Sequence, residues 1–229
     1  MRLMSTTHQD AMKLAAASAA LPYVIPRATL GVGSGSTVNA FISLLAPLRH
    51  QIIGAVAASE ASAKALRAVG IPVLNLNDVA EIPYYFDSAD EIDASFAMIK
   101  GGGAALTREK IIASASDKFI CLIDASKQVE QLGAFPLPIE VIPFATSLVV
   151  RRLFQLGARA TPRAGVVTDN GNQLLDVVGL PFADSLKLET ELNQIPGVVC
   201  NGIFARRPAD ICICAKPSGV EITQRPTMT

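Results

Sequence analysis

The feature that most constrains this chain is the alternation of short β-branched segments with helical patterns through its first half. Strands that alternate with helices are typical of a parallel sheet, because each helix carries the chain back across the sheet. Strands are predicted at 28–33, 51–57, 71–76, 84–87 and 119–124, and helices at 37–48, 60–69 and 108–116. The pattern predicts an α/β fold with a Rossmann-like parallel sheet and helices on both faces.

The pattern of secondary-structure signals changes in the second half of the chain. It is interrupted there by Gly133, Pro136, Pro138 and Pro143. Helices are predicted at 145–156 and 185–193, a turn at T-D-N-G-N within the apolar segment 166–178, and strands at 197–205 and 210–214. This order indicates a small α+β (ferredoxin-like) subdomain of βαββαβ type, inserted before the last strand. We therefore predict a catalytic domain formed by 1–132 and 208–229, with 133–207 as an inserted subdomain and candidate oligomer contact.

Composition excludes several classes of function. Half of the 229 residues are hydrophobic, which is enough to bury a sizeable core. The 20 Lys and Arg balance the 20 Asp and Glu, so no net charge favours binding to nucleic acid or to an anionic membrane. Every apolar segment is interrupted well before the roughly 20 residues that a membrane-spanning helix needs. We expect no nucleic-acid partner and no membrane partner.

The N-terminal residues and the cysteines predict a cytoplasmic protein. His8 and Asp10 stand where a secretory signal would have an apolar core. The four cysteines include no C-x-x-C pair, and Cys212 and Cys214 alternate with isoleucines as in a buried strand. Neither His8 nor His50 has a His or Cys partner at ligand spacing, so we expect no structural metal.

The segment 31–37, G-V-G-S-G-S-T, lies between a predicted strand and an amphipathic helix. Glycines allow close approach of an anion, and the helix N-terminus offers unpaired N–H groups. A dinucleotide motif would need glycine where Ser36 stands, and a P-loop would need lysine before its Ser or Thr. The segment predicts a phosphate site, with a tight turn capped by Ser36 as the alternative.

Two further segments carry candidate catalytic residues. The acidic segment 87–93, D-S-A-D-E-I-D, follows an apolar strand, where ligands of open α/β sheets bind. The segment 100–110, K-G-G-G-A-A-L-T-R-E-K, combines three glycines with Glu109 in the first turn of a predicted helix. A solvated acidic turn and a charge that complements the helix end are the alternatives.

Together these segments resemble a known family. GVGSGST, DSADEID, IKGGGAALTREKI, IDASKQ, PLPIEVIP, VVTDNGN and IPGVV-NG-FA occur in the order and spacing of ribose-5-phosphate isomerase of the A type, from about Asp10 to about Val220. The resemblance implies interconversion of D-ribose 5-phosphate and D-ribulose 5-phosphate through an enediolate, in the non-oxidative pentose phosphate pathway. It also implies a homodimer or homotetramer that uses no metal or cofactor.

The resemblance also implies residue roles. Glu109 would be the base that moves a proton between C1 and C2, Asp87 would assist opening of the furanose ring, and Asp90 and Lys100 would stabilise the enediolate. The implied substrate-binding residues, for the phosphate and the sugar, are Lys13, Ser34, Gly35, Ser36, Thr37, Gly102, Gly103, Ala104 and Lys127.

Three features depart from the family pattern, one of them the segment 58–60, A-S-E, which varies a hydroxyl-rich loop that lies near the substrate in the family. Ser34 replaces a threonine but keeps the hydroxyl, and Ser88 stands where glycine is usual. If the backbone at Ser88 needs a positive φ, serine there costs about 1 kcal/mol and could tilt Asp87. Two other functions fit parts of the sequence. A non-catalytic sugar-phosphate sensor has no need of the four catalytic residues together, and a coenzyme A transferase is suggested only by a glycine-rich loop and a glutamate.

Overall fold

The computed structural model describes residues 6–226, with side chains described for residues 8–226. The helices are α1 (Thr6–Ala20), α2 (Ser36–Leu44), α3 (Glu60–Ala68), α4 (Leu106–Ala115), α5 (Thr146–Gln155) and α6 (Ser185–Asn193). The strands are β1 (Thr29–Val32), β2 (Gly54–Ala57), β3 (Tyr84–Asp87), β4 (Glu91–Ile92), β5 (Met98–Ile99), β6 (Lys118–Asp124), β7 (Leu137–Val141), β8 (Arg159–Pro162), β9 (Gln173–Val178), β10 (Val198–Asn201), β11 (Ile203–Phe204), β12 (Ile211–Lys216) and β13 (Gly219–Gln224).

The described residues divide into two compact units. The first takes its residues from 1–88, 111–127 and 209–229, and the second from 89–110 and 128–208. These boundaries differ from the predicted ones mainly at 89–110, because β4 and β5 form a three-stranded sheet with β11 of the second unit. That catalysis belongs to one part and an oligomer contact to the other stays a prediction.

Among the described residues of the first unit, six strands form one sheet in the order β13-β12-β6-β3-β1-β2. Neighbouring strands are parallel except for the edge pair β12 and β13. Leu30 and Val32 of β1 belong to the core cluster that contains Phe41 of α2. A Cβ on Gly31 would be on the opposite face, 2.9 Å from Ile112 Cγ2 of α4. Helices thus cover both faces, and the predicted Rossmann-like α/β fold is confirmed.

The strand predicted at 71–76 is wrong. This segment makes a single bridge, between Val73 and Ala55 of β2. Pro72 accepts a hydrogen bond from Ala55 N at 2.8 Å but has no N–H of its own to continue a ladder. The strand predicted last, 210–214, is β12, and it is followed by the edge strand β13, whose residues are all exposed.

The second unit contains the predicted βαββαβ arrangement: β7, α5, β8, β9, α6 and β10 follow one another along the chain. Within the described residues these four strands form an antiparallel sheet in the order β10-β7-β9-β8. α5 and α6 pack through Val149, Leu153, Leu188 and Leu192 into the cluster that also contains the β7 side chains. The predicted ferredoxin-like subdomain is confirmed.

The burial of the cysteines agrees with their predicted place in the core. All four cysteines are buried thiols, as expected for small core residues, and burial raises the pKa of Cys212 to about 12. Of the helices in residues 6–226, none has the length and apolar character needed to cross a membrane.

Candidate active site

The predicted phosphate loop connects β1 to the N-terminus of α2. Gly35, at the N-cap of α2, has φ +97°, a conformation that glycine adopts without strain. Ser36 is exposed and Thr37 is buried in the first turn of the helix. The first-turn N–H groups have no partner within the helix, so this end attracts an anion.

Asp87, at the carboxyl end of β3, is fully buried beside this loop in the first unit. Its Oδ1 accepts hydrogen bonds from the backbone N–H groups of Ser34 at 3.1 Å and Ser88 at 2.7 Å. Its Oδ2 accepts one from the hydroxyl of Tyr85. A Cβ on Gly33 would lie 1.9 Å from Asp87 Cγ, so only glycine fits there. The carboxylate is therefore fixed in orientation.

Ser88 is not strained, although the family usually has glycine at this position. Among the non-glycine residues that the structure describes, Arg27, Phe96 and Ala104 are the ones with positive φ. Ser88 Oγ donates a hydrogen bond to Ser34 O at 3.3 Å. The backbone strain considered from the sequence is therefore absent at Ser88, and its serine does not tilt Asp87 through the backbone.

Lys127 and Lys13, the two lysines assigned to phosphate, lie in the first unit. Lys127 is half-buried and ends a single turn that directly follows β6, where Asp124 Oδ1 accepts a hydrogen bond from Ser126 N at 2.9 Å. Lys13 lies on α1 and forms an ion pair with Asp10 at 3.3 Å. Their role in phosphate binding stays a prediction.

Lys100 and Glu109 form a buried ion pair in the second unit. Lys100 Nζ lies 3.2 Å from Glu109 Oε2, and the two side chains are 3% and 4% exposed. Lys100 extends from the end of β5, and its N–H donates to Gly202 O at 2.9 Å. Glu109 lies in the first turn of α4, where the helix dipole favours its ionised form. A carboxylate next to an ammonium group suits proton transfer with charge stabilisation.

Residues 101–104, between Lys100 and Glu109, form a tight turn, called the glycine turn below. Gly102 N donates to Asp90 Oδ2 at 2.7 Å, and a Cβ on Gly102 would lie 2.6 Å from Asp90 Oδ1. Gly101 has φ +107° and Ala104 has φ +66°, and Ala104 N donates to Gly101 O. Gly102 and Gly103 are exposed. Gly102 therefore lies against Asp90, where a side chain would not fit.

Comparisons with known proteins place this geometry in a family. The family model for ribose 5-phosphate isomerase A (phosphoriboisomerase A) matches residues 54–219. The ribose-5-phosphate isomerase A of Leptothrix cholodnii is 55% identical over 213 residues, covering 93% of this chain and 97% of that protein. The chain belongs to the ribose-5-phosphate isomerase A family. The resemblance found in the sequence is confirmed, and the chain is an isomerase.

Solved structures of ribose 5-phosphate isomerase A share the fold. The enzyme from Neisseria gonorrhoeae superposes with a TM-score of 0.93 at 44% identity, covering 96% of this chain and 98% of that one. The enzyme from Methanocaldococcus jannaschii gives a TM-score of 0.90 at 35% identity, covering 94% and 99%. A D-ribose-5-phosphate isomerase in complex with phospho-erythronic acid gives 0.90 at 39% identity, with the same coverage. These similarities favour the isomerase and give no support to the sensor.

The structure shows the contacts of the catalytic residues that the resemblance to the isomerase family implies. In the first unit it joins Asp87 to the phosphate loop, and in the second it joins Glu109 to Lys100 and Asp90 to Gly102. In the part of the chain that the structure describes, no three His, Cys, Asp or Glu side chains lie close enough to hold a metal ion. That the isomerase works without metal stays a prediction.

Sequence reasoning missed the residues that support these groups. Tyr85 is two residues before Asp87 on the same strand face, a spacing that could have revealed it. Glu140 of β7 is buried and accepts hydrogen bonds from Thr107 at the start of α4 and from Thr168 Oγ1 at 2.8 Å. Asn172 Nδ2 also donates to Glu140 at 2.8 Å. The T-D-N-G-N turn was predicted, but its distant partner Glu140 leaves no local signal.

Proposed function

We propose that this chain interconverts D-ribose 5-phosphate and D-ribulose 5-phosphate through an enediolate, with Glu109 as the base. The observation that carries the proposal is the buried Lys100–Glu109 pair, 3.2 Å apart. A single carboxylate can take the proton from C2 of the open-chain aldose and return it to C1. The ammonium group of Lys100 balances the negative charge that develops on the enediolate oxygen.

Asp87 is assigned to opening the furanose ring. Ring opening moves a proton from the C1 hydroxyl to the ring oxygen, so it needs a carboxylate of fixed orientation. The hydroxyl of Tyr85 and two backbone N–H groups supply that orientation. Asp90 is assigned to stabilise the enediolate and its hydroxyl protons. Its carboxylate accepts a hydrogen bond from Gly102 N, which holds it against the glycine turn.

Phosphate binding is assigned to the loop Ser34, Gly35, Ser36 and Thr37, with the cations of Lys127 and Lys13. The N–H groups at the N-terminus of α2 supply hydrogen-bond donors. The chain has no net charge, so the positive charge that attracts phosphate must come from nearby lysines. The backbone of Gly102, Gly103 and Ala104 is assigned to the sugar.

The same proposal extends to the setting of the enzyme. The four cysteines are thiols, which suits the reducing cytoplasm. A homodimer or homotetramer is supported by exposed apolar side chains in and beside α5 of the second unit, since such groups mark interfaces. These are Ile142, Phe144, Leu148 and Phe154, and Phe144 is fully exposed.

The test is conversion of ribose 5-phosphate by the purified protein without an added cofactor. We expect ribulose 5-phosphate to form, and in D₂O we expect solvent deuterium at the carbon-bound position of the product. Binding of ribose 5-phosphate without any conversion would overturn the proposal and favour the non-catalytic sensor.

A further inference from the structure

Arg163, which follows β8 in the second unit, bridges a carboxylate and the glycine turn. Its Nε and Nη2 donate to the two carboxylate oxygens of Asp176 on β9, at 2.9 and 2.5 Å. Its Nη1 donates to Gly101 O at 3.2 Å and to Gly102 O at 2.9 Å. The planar guanidinium is thus fixed at one end and binds two consecutive carbonyls at the other.

These contacts fix the direction of the N–H groups in the turn. In a trans peptide the C=O and the N–H of one plane point in opposite directions. The peptide that joins Gly101 to Gly102 is therefore held from both sides, by Arg163 on its carbonyl and Asp90 on its N–H. The next peptide turns its carbonyl to Arg163, so the N–H of the exposed Gly103 points away from it.

We propose that Arg163, oriented by Asp176, is a positioning residue that holds Gly103 N–H ready to donate to the anionic oxygen of the enediolate. This inference rests on the proposed isomerase function. Without Arg163, consecutive glycines have a wide choice of φ and ψ, and the peptide planes can rotate. A donor aimed in advance at developing charge is worth more than one that must be reoriented during the reaction.

The experiment compares Arg163→Ala and Arg163→Lys with Arg225→Ala. Arg225 is a matched control in the first unit, because its side chain also bridges a backbone carbonyl, Ala209 O, and a carboxylate, Asp210, at 3.2 Å each. Each variant is assayed for kcat and KM, and for binding of phospho-erythronic acid and of inorganic phosphate by calorimetry. The carboxylate of phospho-erythronic acid resembles the enediolate oxygens, whereas inorganic phosphate probes only the anion site.

We expect Arg163→Ala to lower kcat by about 10- to 100-fold, the range for a misplaced group at a reacting centre. KM should change little, and phospho-erythronic acid should bind more weakly while inorganic phosphate binds as before. Arg163→Lys should recover little activity, because an ammonium group cannot bind one carboxylate and two carbonyls in a plane. Arg225→Ala should keep its kcat and both affinities.

Three outcomes would overturn the inference. An Arg163→Ala protein with normal kcat and normal phospho-erythronic acid binding shows that the turn needs no support. Equal losses for both ligands show general structural damage. Full activity in Arg163→Lys shows that charge alone suffices. If Arg163→Ala does not fold, Asp176→Asn, which weakens the same anchor, must show the same contrast between the two ligands. Failure of the wild-type enzyme to convert substrate would refute the proposed function instead, while the binding contrast still tests Arg163.

Discussion

Lys100 and Glu109 carry opposite charges in a place where charges are costly. Moving two charged groups out of water costs several kcal/mol each, and their attraction offsets this only in part. Both side chains are almost completely buried. A pair of apolar residues would fill the same space at lower cost, so the pair is best explained by its chemistry. A substrate that enters would compete with Lys100 for Glu109 and release the carboxylate for proton transfer.

Lys127→Ala should raise KM for ribose 5-phosphate by more than it lowers kcat. A lysine that contacts only the phosphate binds ground state and transition state alike, so its loss acts on substrate binding. Steady-state kinetics with Lys118→Ala as the control measures this, because Lys118 is exposed and pairs with Asp210 at 3.9 Å. A fall in kcat at unchanged KM would show that Lys127 is misassigned.

Ser88→Gly should leave kcat nearly unchanged and lower the free energy of unfolding by about 0.5–1 kcal/mol, the entropic cost of a glycine. The reason is that Asp87 is bound by the backbone N–H of Ser88, which glycine retains, while φ at Ser88 gives no strain to relieve. Urea unfolding and kinetics, with Ser88→Ala as a second variant, check both parts. A clear gain in stability would mean that serine is strained there after all.

At the scale of elements, Glu140 connects β7 to the first turn of α4 and to the turn that contains Asn170. Asn170 Nδ2 donates to Glu140 at 3.1 Å, and Arg108 Nε donates to Asn170 Oδ1 at 3.0 Å. Thr107 donates directly to Glu140, and Arg108 is linked to Glu140 through Asn170, so the first turn of α4 is tied to a buried carboxylate. This network positions the helix that carries the proposed base.

Glu140→Gln should lower the free energy of unfolding by about 2–3 kcal/mol. The NH₂ group of the glutamine side chain would face buried groups that now donate hydrogen bonds to the carboxylate, so these donors would lose their acceptor. Urea unfolding measures the loss, provided that the dependence of the free energy of unfolding on urea concentration (the m-value) is unchanged. The control is Glu130→Gln, which changes an exposed glutamate of the same unit. A loss no larger than that of the control would contradict the role given to Glu140.

Elements with strong local signals could be predicted from the sequence, and those fixed by distant contacts could not. The predicted helix 185–193 coincides with α6, and α2 and α3 were placed within a few residues, because apolar periodicity and caps are local. β7 and β8 were expected from the βαββαβ order but were not located, because each contains a proline, Pro138 or Pro162, which weakens the strand signal. The predicted strand 197–205 is split at Gly202 into β10, which pairs with β7, and β11, which pairs with β5.

The same division applies to the site. Residue type and order made Asp87, Lys100 and Glu109 candidates, and the resemblance to the family implied their roles. Arg163, which binds the glycine turn, and Glu140, which binds the first turn of α4, are more than 25 residues away in sequence from these partners. Only the folded chain brings those partners together, so one sequence offers no signal for them.

At the scale of the whole molecule, activity should survive exhaustive treatment with a metal chelator. The charge of an enediolate can be balanced by Lys100 and by backbone N–H groups, so the proposed mechanism needs no Lewis acid. The rate is measured before and after treatment with EDTA and gel filtration. Loss of activity that zinc or magnesium restores would refute the metal-free mechanism.

Substitution of Glu109 by its amide isostere tests the central claim most directly. Glu109→Gln keeps the size of the side chain but cannot accept a proton from carbon, so kcat should fall by about 10²–10⁴-fold or more. Phospho-erythronic acid should still bind, and deuterium wash-in from D₂O should disappear together with turnover. The matched control is Glu189→Gln, which alters another buried Glu–Lys pair of the same unit, Glu189 with Lys110 at 2.7 Å, and should lose stability but keep kcat. Near-normal isomerisation by Glu109→Gln would contradict the account and move the base to Asp87 or Asp90.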